Sequence, residues 1–192
     1  MRNLLALAVL TVAASGAYSA QLLINSIPTP GQLGANGYHT FTLSLLTEGS
    51  ESFRGVDATF TGAMNQINPA GNSTIFNDYL LWWEWIGIDR AFDSHFLFSS
   101  STLLTIGAQE SSIHLKAAIS GLADNGLPDL APFAQIVAKN GAVSYSLAFD
   151  AGLPEPVRFV SAFPLTSIPE PSNGIIAGLA LVGVAVRRQG RG

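Results

Sequence analysis

Trp82, Trp83 and Trp85 lie close together, with Glu84 among them, in the run Leu80-Leu81-Trp82-Trp83-Glu84-Trp85-Ile86. An indole offers an apolar face to the C–H surface of a sugar ring while its N–H bonds a hydroxyl, so such a cluster suits glycan stacking as well as a packed core. A strand here would place Trp83 and Trp85 on one face and Trp82 with Glu84 on the other. One face then packs inward, and the remaining indole is the candidate platform. Glycoside hydrolysis would need two carboxylates straddling one bond. Glu84, Asp57, Asp89 and Asp93 supply acids, but their spacing selects no pair. His39, His95 and His114 are scattered, with no two at a ligand spacing, so each reads as a surface or internally satisfied histidine and no metal triad is expected. No Gly-x-Ser-x-Gly elbow positions a serine nucleophile. The chain has no cysteine, which removes disulfides, thiolate metal sites and Cys nucleophiles. No catalytic residue, metal or cofactor is predicted.

Two polar stretches carry ligand-like composition. Asp124-Asn125-Gly126-Leu127-Pro128-Asp129 has the oxygens a calcium ion needs, but Gly126 occupies the second ligand position of the EF-hand pattern, and the stretch reads as a turn. Met64-Asn65-Gln66-Ile67-Asn68-Pro69-Ala70-Gly71-Asn72 is rich in amides, which suit both sugar hydroxyls and turns.

The elements that would position these residues have period two. Tyr38 to Leu46 sets Phe41, Leu43 and Leu45 against Thr40, Thr42 and Ser44; Phe53 to Phe60 sets Val56, Ala58 and Phe60 against Asp57 and Thr59. Ser112 to Ser120 groups Ile113, Leu115, Ala117 and Ile119 on one face. Asn140-Gly141 suits a two-residue type I′ turn, and the resulting hairpin would pair Ala138 with Val143, Ile136 with Tyr145 and Ala134 with Leu147. Further strands are expected at Tyr79 to Ile88, His95 to Ser99, Leu103 to Ile106 and Val157 to Phe163. Gly- and Pro-containing loops fall at Gly62 to Gly71 and Gly121 to Pro132. Eight or nine short antiparallel strands imply an all-β domain, a single β-sandwich or jelly roll, over residues 21–165. Within it five basic side chains face twelve acidic ones, a net charge of −7, which disfavours nucleic acid as a partner.

Both flanks of that body read as addresses. Residues 1–20 have the three parts of an export signal: Arg2, eleven uncharged and mostly apolar residues from Leu4 to Ala14, and the small-residue stretch Ser15-Gly16-Ala17-Tyr18-Ser19-Ala20. A signal peptidase could use Ala17 with Ser19 or Ser15 with Ala17, so the mature start lies between Tyr18 and Gln21. At the other end, Ile168-Pro169-Glu170-Pro171-Ser172 precedes an uncharged run from Gly174 to Val186 and then Arg187, Arg188 and Arg191. Those thirteen residues as a helix cover only about 20 Å, against a hydrocarbon core of about 30 Å. The segment 174–186 is therefore expected to enter the membrane transiently, and the arginines at one end and Arg2 at the other both place the body outside the cytoplasm.

The order of Pro-Glu-Pro motif, short apolar run and arginine cluster resembles the PEP-CTERM sorting signal of exported bacterial proteins. The resemblance covers residues 168–192. It implies Pro169, Glu170 and Pro171 as the recognition motif of a membrane-embedded exosortase that processes at or near it, and Arg187, Arg188 and Arg191 as the basic retention cluster. It also implies an association with exopolysaccharide or biofilm. The expectation is a non-enzymatic protein of the cell surface or extracellular matrix, with signal peptidase and exosortase as partners during export. A carbohydrate-binding module using Trp82, Trp83 or Trp85, or a jelly-roll glycosidase or lyase, are the alternatives.

Overall fold

The computed structural model describes residues 10–13, 20–47, 54–67, 75–76, 84, 87, 89–98, 104–120, 130–151, 156–161 and 164–167. All of these belong to one compact unit, Val9–Ser167; the remainder, Met1–Ala8 and Ile168–Gly192, lies outside the described residues. So does the expected C-terminal apolar helix. Of the expected strand Tyr79 to Ile88 only Glu84 and Gly87 are described, and they are helical and in a turn rather than extended, with the Gly87 N–H donating to the Glu84 carbonyl at 3.0 Å.

The body is all-β and antiparallel. Its strands are β1 (Leu10–Ala13), β2 (Gln21–Pro28), β3 (Tyr38–Leu46), β4 (Gly55–Met64), β5 (His95–Phe96), β6 (Leu104–Ser111), β7 (His114–Ser120), β8 (Leu130–Asp150) and β9 (Val157–Val160), with one short helix, α1 (Gly31–Ala35). Their order is β1-β2-β3-β8-β4-β7-β6, with β5 and β9 also on β8.

Strand β8 organises everything. Its first half pairs with β3, from Lys139 opposite Tyr38 to Leu130 opposite Leu46, and with β5 on its other edge. Its second half pairs with β4, from Val143 opposite Gly62 to Asp150 opposite Gly55, and with β9. Phe133 and Phe149 are sixteen positions apart, about 50 Å in an extended strand, yet their rings meet edge to face at 5.1 Å. The chain must therefore double back between them. It does so at Asn140-Gly141, where Gly141 takes a positive φ of 73°, a conformation that favours glycine.

The hairpin expected at this dipeptide is corrected accordingly. No two-residue turn interrupts the chain there: β8 runs as one strand from Leu130 to Asp150 and bends within it, and Ala138, Ile136 and Ala134 do not pair with Val143, Tyr145 and Leu147. The first arm is bonded to β3 and the second to β4, so the two arms face each other across the core as an arch. The apolar pattern that suggested adjacent partners is satisfied by opposed layers. The chain after β9 braces the apex. Gly141 N–H donates to the Leu165 carbonyl, Leu165 N–H to the Val143 carbonyl, and the Asn140 amide exchanges two hydrogen bonds with Ser167 at 2.6 and 2.7 Å.

One core lies between the layers. Phe41, Leu43, Leu45, Leu22, Ile136 and Phe96 from one side meet Phe60, Leu115, Leu147, Phe149 and Phe159 from the other. Phe60 and Phe96 pack with ring centroids 6.2 Å apart. Where β8 passes Leu43/Ser44 of β3 the register shifts, leaving Phe133 as the extra residue beside Pro132. A bulge is a place where a strand tolerates proline's missing donor.

Strand β3 has the expected bounds. The strand expected at Ser112 to Ser120 begins at His114, because Ser112 and Ile113 form the turn from β6; Ile113 is 63% exposed rather than part of the core face. The strand expected at Leu103 to Ile106 is Leu104–Ser111, that at Phe53 to Phe60 is Gly55–Met64, that at His95 to Ser99 is His95–Phe96, and that at Val157 to Phe163 is Val157–Val160. Strand β2 was not anticipated.

Candidate functional site

The connection from residue 65 to residue 94, between β4 and β5, holds Trp82, Trp83 and Trp85, which lie outside the described residues. Both its flanks are described. Connections this long within a compact domain are usually functional or unstructured, and what distinguishes the alternatives is how the flanks are held.

They are tied to the body by a buried polar cluster. Asp93, Ser94 and His95 are at most 1% exposed. Ser94 Oγ donates to the Asn65 carbonyl at 2.7 Å and accepts from the Val137 N–H at 2.9 Å, so a side chain occupies the place of a neighbouring strand's backbone on the edge of β8. The Ser94 N–H also donates to the Asn65 carbonyl, and the Asn65 N–H to the Val137 carbonyl at 2.7 Å. The Asn65 side-chain amide donates to the Phe92 carbonyl. Asp93 Oδ1 accepts from the Ile67 N–H at 2.6 Å, crossing directly from one flank to the other. Gln135 of β8 donates through Nε2 to the carbonyls of Arg90 and Asp93, each at 2.9 Å. A buried polar group without such partners costs about 1–3 kcal/mol, so these bonds specify one arrangement of the flanks.

His95 Nδ1 lies 3.2 Å from the Asp93 carbonyl oxygen and 3.6 Å from Asp93 Oδ2. A carbonyl only accepts, which places the proton of a neutral ring on Nδ1 and leaves Nε2 as an acceptor. Nε2 is buried and has no hydrogen-bond partner among the described residues, as do both amide atoms of Gln66 on the opposite flank. Within the connection, Ile75 and Phe76 are buried in the core; the Ile75 carbonyl accepts from Phe96 N–H and the Phe76 ring packs on Phe96.

The four acids raised as a source of a catalytic pair have separate settings. Glu84 Oε1 meets Arg90 Nε at 3.0 Å, and both side chains are part-exposed. Asp89 caps the 3₁₀ turn Arg90–Phe92 by accepting from Ala91 N–H at 2.8 Å. Asp93 is in the buried cluster. Asp57 sits on the outer face of β4, in an open groove of about 320 Å³ that it shares with Asp150, Gly55, Ala118, Ser120 and Ala148. The register makes Asp57 and Asp150 diagonal neighbours, a separation of about 7–8 Å. Both are exposed.

Among the described residues no three His, Asp or Glu side chains gather as metal ligands. His39 lies beside Phe41 on β3, His95 is in the buried cluster, and His114 opens β7. Burial pushes the Tyr145 hydroxyl above its ordinary pKa of 10.0, and the phenol stays neutral in the core. The Asp124–Asp129 stretch, Pro169, Glu170, Pro171, the run 174–186 and Arg187, Arg188 and Arg191 all lie outside the described residues. Among those described, no helix is long and apolar enough to cross a membrane.

The buried cluster was missed from sequence. Asp-Ser-His between Phe92 and Phe96 has the composition of a surface turn, and its burial depends on Val137, far away in the chain. Compared with known proteins, the chain matches no family model, no curated protein and no solved structure. Its function must be argued from its own residues.

Proposed function

We propose that this is an exported, non-enzymatic protein of the cell surface or extracellular matrix, delivered by an exosortase-type route and associated with exopolysaccharide. The observation that carries the reading is the order of Pro169-Glu170-Pro171, the uncharged run 174–186 and Arg187, Arg188 and Arg191, following directly on a folded body. The last described residue before the motif, Ser167, is fastened to the arch apex through Asn140. Processing near Pro169 would thus remove the tail without loosening the domain. The test is intact-mass measurement of the protein from producing cells with and without the processing enzyme. Loss of the residues after the motif is expected only when the enzyme is present. Full-length chain in the cytosol of enzyme-bearing cells, arginines intact, overturns the reading.

A more specific role, glycan binding by the tryptophan segment, is favoured by the buried cluster that holds its two flanks in one arrangement. A connection whose two ends are already anchored has less conformational entropy to lose on binding than one with free ends. Either Trp82→Ala or Trp83→Ala is expected to weaken retention on the producing strain's exopolysaccharide about tenfold, near 1.4 kcal/mol. The melting temperature should not change. Affinity electrophoresis reads the effect, and unchanged retention in both variants removes the platform.

A further inference from the structure

Sheet edges decide what a β-protein adheres to, because an edge strand presents unpaired N–H and C=O groups. The described edges are unequal. Strand β6 is interrupted by a register shift between Ile106 and Gln109, with Gly107 at a φ of 66°, and carries Glu110. Strand β9 spans four residues, including the exposed Arg158, and β5 spans two. Bulges, charges and shortness all discourage pairing with a foreign strand.

Strand β2 has none of these devices over most of its length. Gln21–Pro28 is eight residues long without a charge, and its single proline is the last residue. It pairs with β3 along its whole length without a register shift. Its other edge is covered by β1, antiparallel, with Leu10 opposite Ile24 and Ala13 opposite Gln21. Strand β1 lies inside the segment read as an export signal. Cleavage between Tyr18 and Gln21 would remove the cover and leave β2 at the start of the mature chain. Leu22 and Ile24, both buried in the core, would then stand on an open edge.

We propose that export uncovers β2 as a docking strand, and that its occupant is β2 of a second copy, joined antiparallel about a two-fold axis. The structure already seats an antiparallel strand there. An isologous pairing needs only a self-complementary surface. With Ile24 opposite Ile24, Leu22 meets Ser26 on the core side and Leu23 meets Asn25 on the outer side, so no charge is opposed or buried. The two bodies then share one continuous sheet, and no further copy can add at the same edge, which closes the assembly at two.

This inference rests on the export reading, and one experiment separates them. Protein recovered from producing cells is sized by sedimentation and its start determined by mass spectrometry, alongside a Leu23→Lys/Asn25→Lys variant that would oppose like charges across the axis. Expected are a start between Tyr18 and Gln21, twice the chain mass for the wild type, and a single chain mass for the variant. A correctly cleaved wild type that remains monomeric at high concentration overturns the dimer and leaves export standing. An uncleaved start with β1 retained overturns both. Amide exchange on the wild type covers the case of a variant that does not fold. Residues 21–27 should gain protection as concentration rises, and concentration-independent exchange there refutes the pairing.

Discussion

Replacing Gly62 with alanine is expected to remove on the order of 3–5 kcal/mol of stability, much of what a domain this size has. Gly62 is where β4 leaves the second half of β8 and crosses toward the first. Up to Gly62 its partner is Val143; after the register shift Met64 faces Ala138, so β4 passes the arch apex at this bulge. Two conditions coincide there. The φ of 129° lies in a region that only glycine occupies easily. A Cβ would also stand 1.9 Å from the Ala142 carbonyl oxygen and 3.0 Å from the Val143 Cα, both backbone atoms that cannot rotate aside. Gly107→Ala supplies the milder comparison, because its φ of 66° lies in the left-handed well that L residues reach at modest cost and nothing lies within 4 Å of the added carbon. That variant should lose only the left-handed strain, about 1–2 kcal/mol. Urea denaturation of the two checks the argument: equal losses would mean that packing against Ala142 contributes nothing.

That bulge also marks the limit of what could be read from the residues alone. Strand β3 was legible because Phe41, Leu43 and Leu45 bury one face while Thr42 and Ser44 on the other stay part-exposed, a period-two pattern that no helix reproduces. Leu115, Ala117 and Ile119 were legible for the same reason. Ile113 continues their alternation but belongs to the turn, and periodicity cannot see where hydrogen bonding stops. Asn140-Gly141 marked where β8 bends, but not the hairpin that dipeptide is expected to close. Which strands the arms then bond is not local information: Ile136 and Tyr145 fit equally well as neighbours in one sheet or as opposed residues across a core. Only the competition from β3 and β4 for the edges of β8 selects the arch. The functional chemistry divides likewise. The proposed sorting tail rests on the order of residues along 168–192 and is open to reading from sequence, whereas the buried cluster exists only after Asn65, Ser94 and Val137 meet.

Ser94→Ala is expected to cost about 2–3 kcal/mol although it removes a single oxygen. Ser94 is completely buried, and so is Val137. The hydroxyl satisfies the Val137 N–H at 2.9 Å and donates to the Asn65 carbonyl at 2.7 Å. Alanine leaves that N–H without its partner in a site too well packed to admit water easily. The Asn65 carbonyl retains the Ser94 N–H, so one group is orphaned rather than two, and the cost of one buried unsatisfied donor sets the scale. Ser94→Thr keeps the hydroxyl and tests whether hydrogen bonding or shape is responsible. It should recover most of the loss if its added methyl is accommodated, while Ser94→Val, of similar size to threonine, should not. The consequence reaches function through geometry. With the Ser94 hydroxyl gone, the flanks at 65–67 and 89–95 keep the Asp93 to Ile67 and Asn65 to Phe92 bonds, the Asn65 N–H to Val137 bond and the Gln135 bonds to Arg90 and Asp93, but lose the hydroxyl that joins both flanks to the Val137 N–H. Amide exchange at those flanks should quicken more than exchange at β3. Retention on polysaccharide should fall with Trp82, Trp83 and Trp85 unaltered, and threonine should restore it. Weakened exchange protection with full retention would mean that the cluster stabilises the fold and positions nothing.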